Sequence, residues 1–98
     1  MKEIATIFVY STDMCEPCKN LKAWLRQEGI VFEEISVKGL TAQEREAITK
    51  NILAVSRIDR ATVPAVRILV DGKEHWVSNH GESDISEMRA EIRRTLAL

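Results

Sequence analysis

The sequence predicts an α/β fold of order β-α-β-α-β-β-α, a mixed four-stranded sheet with helices on both faces. Three observations predict it. A β-branched apolar run leads into residues at helical spacing and then a second strand pattern, which makes a parallel strand–helix–strand unit. Two later apolar runs flank Asp71-Gly72, a hairpin signal that makes the last two strands antiparallel. A closing amphipathic stripe supplies the third helix. The 98 residues and 45% apolar content suit one domain, 1–98, around a single core.

Each element has its own signal. Ile4 to Tyr10 is a continuous apolar run ending at Ser11-Thr12-Asp13, so it reads as a buried strand followed by a loop. From Cys15 onward, Cys18, Leu21, Trp24 and Leu25 recur at helical spacing. Pro17 fits the first helical turn, where no N–H is needed, and Gly29 is a C-terminal stop. Ile30 to Val37 reads as a second strand. Thr41 and Glu44 form a capping-box pattern before a helix whose buried face takes in Ile48, Ile52 and Val55. SRIDRATVP, residues 56 to 64, is irregular. Ala65 to Val70 and Glu74 to Ser78 make the hairpin, with Lys73 placed in its loop. Ser83 is the expected N-cap of the last helix, whose stripe is Ile85, Met88, Ile92 and Leu96.

Charge narrows the function classes. Fourteen basic and fifteen acidic side chains are interspersed along the chain, for a formal net charge of −1. That balance gives no electrostatic case for nucleic acid or an anionic membrane. The N-terminal run IATIFVY is too short to span a bilayer and lacks a secretory cleavage pattern. The expectation is a cytoplasmic monomer. In a reducing compartment a structural disulfide has little place, and a four-residue ring staples almost nothing.

The chemistry sits in DMCEPCKN, residues 13 to 20, which holds both cysteines of the chain, Cys15 and Cys18. The predicted order puts them at a strand-to-helix junction. Cys15 falls near the helix N-cap, where unpaired backbone N–H groups and the positive end of the dipole favour a thiolate. Cys18 sits one turn further in and should be more buried. That asymmetry suits two-step exchange, in which one thiol attacks a disulfide and the second releases the product. Asp13 and Glu16 oppose the thiolate, while Lys19 and Lys22 favour it from solvated positions. Glu16 is equally a first-turn acid on the helix dipole. Other roles for the pair stay open: two buried apolar residues, zinc shared with His75 and His80, or metal or iron–sulfur binding and delivery across a dimer. His75 reads otherwise as a surface strand residue, and His80 as a turn residue.

With YSTDMCEPC at residues 10 to 18, TVP at 62 to 64 and GESD at 81 to 84, nearly the whole chain resembles a glutaredoxin. The resemblance implies the thioredoxin fold and thiol–disulfide oxidoreductase activity, with Cys15 as nucleophile and Cys18 as resolving thiol. It implies no resident cofactor. The partners it implies are disulfide-containing proteins, with glutathione as reductant or co-substrate. A variant of the resemblance, to the glutaredoxin-like hydrogen donors of ribonucleotide reductase, makes thioredoxin reductase the electron source. It further implies a cis bond before Pro64, with the Val63 backbone pairing to an extended substrate. Thr62, Val63 and Pro64 would line the substrate and glutathione groove. Arg60 would contact glutathione, and Ser83 and Asp84 would receive its γ-glutamyl end through backbone N–H groups. Read without the resemblance, Pro64 is a strand-start proline, Arg60 a solvated loop charge and Ser83 a cap. The chain departs from the family at three places. Glu16-Pro17 replaces the usual Pro-Tyr, Thr12 stands where a lysine is frequent, and Gly81-Glu82 replaces Gly-Gly. Glu82 beside a bound carboxylate is unfavourable, so weakened use of glutathione is expected.

Overall fold

Strand alternation divides the apolar residues of this chain between two faces of one sheet. The computed structural model describes residues 5–97. In chain order it contains β1 (Thr6–Ser11), α1 (Glu16–Gln27), β2 (Glu33–Ser36), a 3-10 turn (Val37–Gly39), α2 (Ala42–Val55), β3 (Ala65–Val70), β4 (Lys73–Ser78) and α3 (Ser86–Leu96). The strands lie in the order β2-β1-β3-β4. β1 pairs parallel with β2, setting Tyr10 opposite Ile35. It pairs antiparallel with β3, setting Val9 opposite Val66, and β3 pairs antiparallel with β4. On one face Ile7, Val9, Val66, Ile68 and Val77 pack with Leu21 and Leu25 of α1 and with Met88 and Ile92 of α3. On the other, Tyr10 and Ala65 pack with Ile52 of α2, and Tyr10 stacks on Trp76 with ring centroids 5.4 Å apart. The run from Ile7 to Tyr10 is apolar throughout because β1 is central and covered on both sides.

Helix α1 ends as Gly29 directs. Its φ is +73°, the Gly29 amide donates to the Arg26 carbonyl, and the Ile30 amide reaches back to the Leu25 carbonyl. This is a Schellman ending, which a residue with a Cβ would strain. Helix α2 begins on the reciprocal capping box: Thr41 Oγ1 accepts from the Glu44 amide at 3.1 Å, and Glu44 Oε1 accepts from the Thr41 amide at 2.9 Å.

Of the strand expected over Ile4 to Tyr10, Ile4 lies outside the described residues, and the described strand runs Thr6–Ser11. The structure corrects four expectations of the elements. The second strand is shorter than 30–37, because Ile30 completes the helix ending and Val37 opens the 3-10 turn. Val55 is 41% exposed, since it is the final residue of α2 and the chain turns away there. Lys73 belongs to β4 opposite Val70. The hairpin loop is Asp71-Gly72 alone, with φ of +55° and +71°, the two left-handed residues that a twisted two-residue hairpin favours. Ser83 does not cap α3. The helix starts at Ser86, and Asp84 Oδ1 accepts from the Ser86 amide at 2.9 Å and its hydroxyl at 2.7 Å. Ile85 is the N-cap residue and makes no side-chain cap bond, so the Asp84 carboxylate, one residue earlier, ties down the first helical amide instead.

Candidate functional site

The site begins where β1 delivers the chain to α1. Thr12 and Asp13 leave the strand, Met14 turns with φ +56°, and Cys15 takes the N-cap with an extended backbone. Pro17 occupies the first helical turn as expected. The Cys18 backbone amide donates to Cys15 Sγ at 3.2 Å, so one of the free amides of the helix end is aimed at the sulfur. The two cysteines form a disulfide, with Cα atoms 5.2 Å apart. Cys15 is half-buried and Cys18 is fully buried.

The irregular segment before β3 supplies the other wall. The Val63–Pro64 peptide bond is cis and Pro64 is buried. The Val63 carbonyl oxygen lies 3.9 Å from Cys15 Sγ. Thr62 donates its hydroxyl to Asn79 Oδ1 at 2.5 Å and accepts from the Gly81 amide at 3.2 Å. Arg60 is exposed, and a Cβ built on Gly81 would stand 3.8 Å from its guanidinium. The structure thus brings Cys15, Cys18, Thr62, Val63 and Pro64 together, with Arg60 at the margin. Ser83 and Asp84 are exposed and lie before α3, where they line a groove of about 370 Å³ with Asn20, Trp24 and Arg89. None of the other predicted site residues lines that groove.

The charges near the site are mostly paired. Asp13 meets Lys38 at 3.2 Å on the surface. Lys22, expected to be solvated, is 16% exposed and bound to Glu34 at 2.8 Å, because α1 packs over the neighbouring strand β2. Glu16 and Lys19 are exposed. Arg57 reaches Glu82 at 3.5 Å and Glu87 at 2.5 Å. The hydrogen bond from Arg57 holds Glu87 below the usual carboxylate range. Asp84 is lowered too, first by the Ser86 hydroxyl and then by the Ser86 amide.

Sequence reasoning missed Asn79, Arg57 and the role of His80. Asn79 and His80 sit in SNHG, which reads simply as a turn. Asn79 is nonetheless buried, and His80 Nδ1 accepts from the Arg57 amide at 3.1 Å. Among the described residues no three His, Cys, Asp or Glu side chains converge as metal ligands. His75 lies within β4 and His80 in the turn after it, so the two do not complete a zinc set with Cys15 and Cys18.

The glutaredoxin family model matches residues 7–76, from β1 through most of the hairpin. The chain belongs to the glutaredoxin family. Among curated glutaredoxins it is 31% identical to Glutaredoxin 3 of Escherichia coli K12 over 65 residues, which cover 66% of this chain and 70% of that one. It is 38% identical to Glutaredoxin 1 of Rickettsia typhi over 45 residues, 46% of this chain. That match spans 43% of the Rickettsia protein's length, less than half. The crystal structure of Glutaredoxin 1 from Francisella tularensis, complexed with cacodylate, superimposes with a TM-score of 0.57 at 18% identity. The match covers 97% of this chain and 100% of that one, so the two share the thioredoxin fold. The matched glutaredoxin segment contains the cysteine pair and TVP but stops before Asn79, Ser83 and Asp84.

Proposed function

We propose that residues 1–98 form one cytoplasmic glutaredoxin-like domain that reduces disulfides through Cys15 and Cys18. The observation that carries this reading is the Cys18 amide aimed at Cys15 Sγ, with the Val63 carbonyl oxygen 3.9 Å from the same sulfur. An amide at a helix start favours a thiolate over a thiol, and partial exposure lets a substrate sulfur approach.

The Cys15 thiolate attacks one sulfur of the substrate disulfide. That S–S bond breaks, the departing substrate sulfur takes a proton, and a mixed disulfide joins Cys15 to the remainder. Cys18 then gives up its proton and attacks Cys15 Sγ, which releases the second substrate thiol and closes the Cys15–Cys18 disulfide. Two electrons pass from the protein dithiol to the substrate. Two glutathione thiols, or thioredoxin reductase, restore the dithiol.

The substrate class is disulfide-containing proteins and glutathione-mixed disulfides, taken by a monomer. An extended segment would pair with the Val63 backbone as an added strand, over a floor made by Thr62 and Pro64. Arg60 supplies positive charge for a glutathione carboxylate, and among the described residues it makes no ion pair. Amides at Ser83 and Asp84 are the remaining anion contacts. The Asp84 side chain is drawn toward the α3 start, and Glu82 adds a carboxylate beside these amides. Glutathione is therefore a weak co-substrate here, with no resident cofactor required.

The test is reduction of a model disulfide with glutathione and its reductase, run beside thioredoxin reductase. Turnover with either system supports the oxidoreductase reading, and faster turnover with thioredoxin reductase supports the weakened groove. No turnover with either, together with stoichiometric zinc or an iron–sulfur chromophore on the purified protein, would favour metal binding by the same thiols.

A further inference from the structure

Asn79 lies one residue beyond β4, is 6% exposed and uses every hydrogen-bonding position of its side chain. Its Oδ1 accepts from the Thr62 hydroxyl at 2.5 Å and from the Gly81 amide at 3.2 Å. Its Nδ2 donates to the Val63 carbonyl at 3.2 Å and to the Glu82 carbonyl at 3.0 Å. A carboxamide offers two acceptor sites and two N–H groups, so nothing is left over. Turning the amide over would set N–H against the Gly81 N–H and oxygen against two carbonyls. The surrounding backbone therefore fixes its orientation.

Two of those partners matter for the chemistry. The Val63 carbonyl that Asn79 holds is the one 3.9 Å from Cys15 Sγ. The turn it holds, from Asn79 to Glu82, carries Gly81, which lies against Ile58, Arg60 and Thr62. One side chain thus ties the wall beside the sulfur to the turn beside Arg60. A carbonyl restrained by a buried donor keeps one orientation, which an extended substrate strand needs if its own disulfide is to meet Cys15.

We propose that Asn79 is a positioning residue, fixing the Val63 carbonyl so that an extended disulfide substrate is presented to Cys15. This rests on the reading of Cys15 as the attacking thiol and of Val63 as the group that pairs with substrate backbone. It makes a demand that a purely structural tie does not. Loss of Asn79 should penalise substrates that use the Val63 backbone and spare those too small to reach it.

The experiment compares two substrates, a disulfide-bonded extended peptide and bis(2-hydroxyethyl) disulfide. Asn79→Asp keeps an acceptor for Thr62 and Gly81 but withdraws both donors, and Asn79→Ala removes the whole contact. Both variants should raise KM for the peptide by about fivefold, the worth of one hydrogen bond, with less than about twofold change for the small disulfide. Equal losses on both disulfides, or none on either, overturn the role of Asn79 alone. An unmodified protein that reduces neither disulfide overturns the functional reading and this inference with it. Should both variants fail to fold, the unmodified protein decides. Its Asn79 side-chain amide protons should exchange about tenfold more slowly than those of exposed Asn20, and more slowly still once reduced peptide is added to the oxidised protein. Exchange unaffected by the peptide would overturn the proposal.

Discussion

The backbone amide of Cys18 donates to Cys15 Sγ at 3.2 Å across one helical turn, while the Cys18 side chain is fully buried. The residue that stabilises the outer sulfur with its backbone thus keeps its own sulfur out of reach. Cys18→Ser retains the amide and should leave Cys15 able to attack but unable to release. We expect mixed disulfides at Cys15 to accumulate with a protein disulfide, identified by mass mapping. Cys15→Ser should abolish turnover, and residual turnover above a few per cent would contradict its role as nucleophile.

On the proposed reading, Arg60 supplies positive charge to the glutathione groove and Thr12 withholds it. Arg60→Ala should raise KM for glutathionylated substrate, and Thr12→Lys should lower it. Each exposed charge contact is worth up to about 1 kcal/mol, or roughly fivefold in affinity, and both effects should shrink at high salt. If neither substitution matters and the parent handles glutathione as fast as an ordinary dithiol glutaredoxin, the groove is not weakened by its charges.

Gly81 has φ +76°, and a Cβ built there would stand 2.8 Å from Ile58 Cδ1. Gly81→Ala therefore meets both backbone strain and a side-chain clash. A loss of about 1–2 kcal/mol in urea unfolding is expected from the left-handed backbone alone. Glutathione turnover should fall as well, because the turn sits against Arg60 and Thr62. An alanine variant as stable as the parent would show that the turn adapts freely.

The start of α2 depends on its reciprocal cap. Thr41→Ala removes the acceptor for the Glu44 amide and should cost about 1 kcal/mol, read as a lower urea midpoint at unchanged slope. Thr41 makes its cap bonds only with Glu44 and touches neither Cys15 nor Val63 through a hydrogen bond, so activity at 25 °C should be unaffected. A variant with parent stability would contradict the contribution of the cap.

Acid should weaken the loop before α3. The Ser86 hydroxyl, then its amide, lowers Asp84, and the hydrogen bond from Arg57 lowers Glu87. A carboxylate with a depressed folded-state pKa adds stability that is fully present above its unfolded value, about 4 for Asp and Glu. That contribution is lost as pH falls through the lower folded value. Ser86→Ala should therefore be less stable than the parent at pH 7, with the gap narrowing below about pH 4. A gap independent of pH would assign the effect to something other than Asp84.

Much of the fold was legible because local signals were strong and agreed with one another. Asp71-Gly72 specified its hairpin, Thr41 and Glu44 their cap, and Gly29 its helix stop. Ile30 and Val37 misled because apolar residues next to a short strand also serve a helix ending and a 3-10 turn. Ser83 misled because the helix starts only at Ser86, after the 79–82 turn has released the chain, a tertiary outcome with no local signal. The placing of Cys15 and Cys18 at a strand-to-helix junction was legible from spacing, and the cis Val63–Pro64 bond only from the resemblance to glutaredoxins. Asn79 was not. Nothing in SNHG distinguishes a solvated turn from one whose amide is buried against a segment sixteen residues away. The pairing of Lys22 with Glu34 likewise follows from α1 lying over β2, a tertiary relation with no local signature.

The central claim is that Cys15 is the more acidic and accessible thiol of the pair, and brief alkylation of the fully reduced protein at mildly acidic pH tests it most directly. Peptide mapping should find label on Cys15 well before Cys18, because only the first is both partly exposed and held by a helix-end amide. Equal labelling, or label on Cys18 first, would contradict the assignment of nucleophile and resolving thiol.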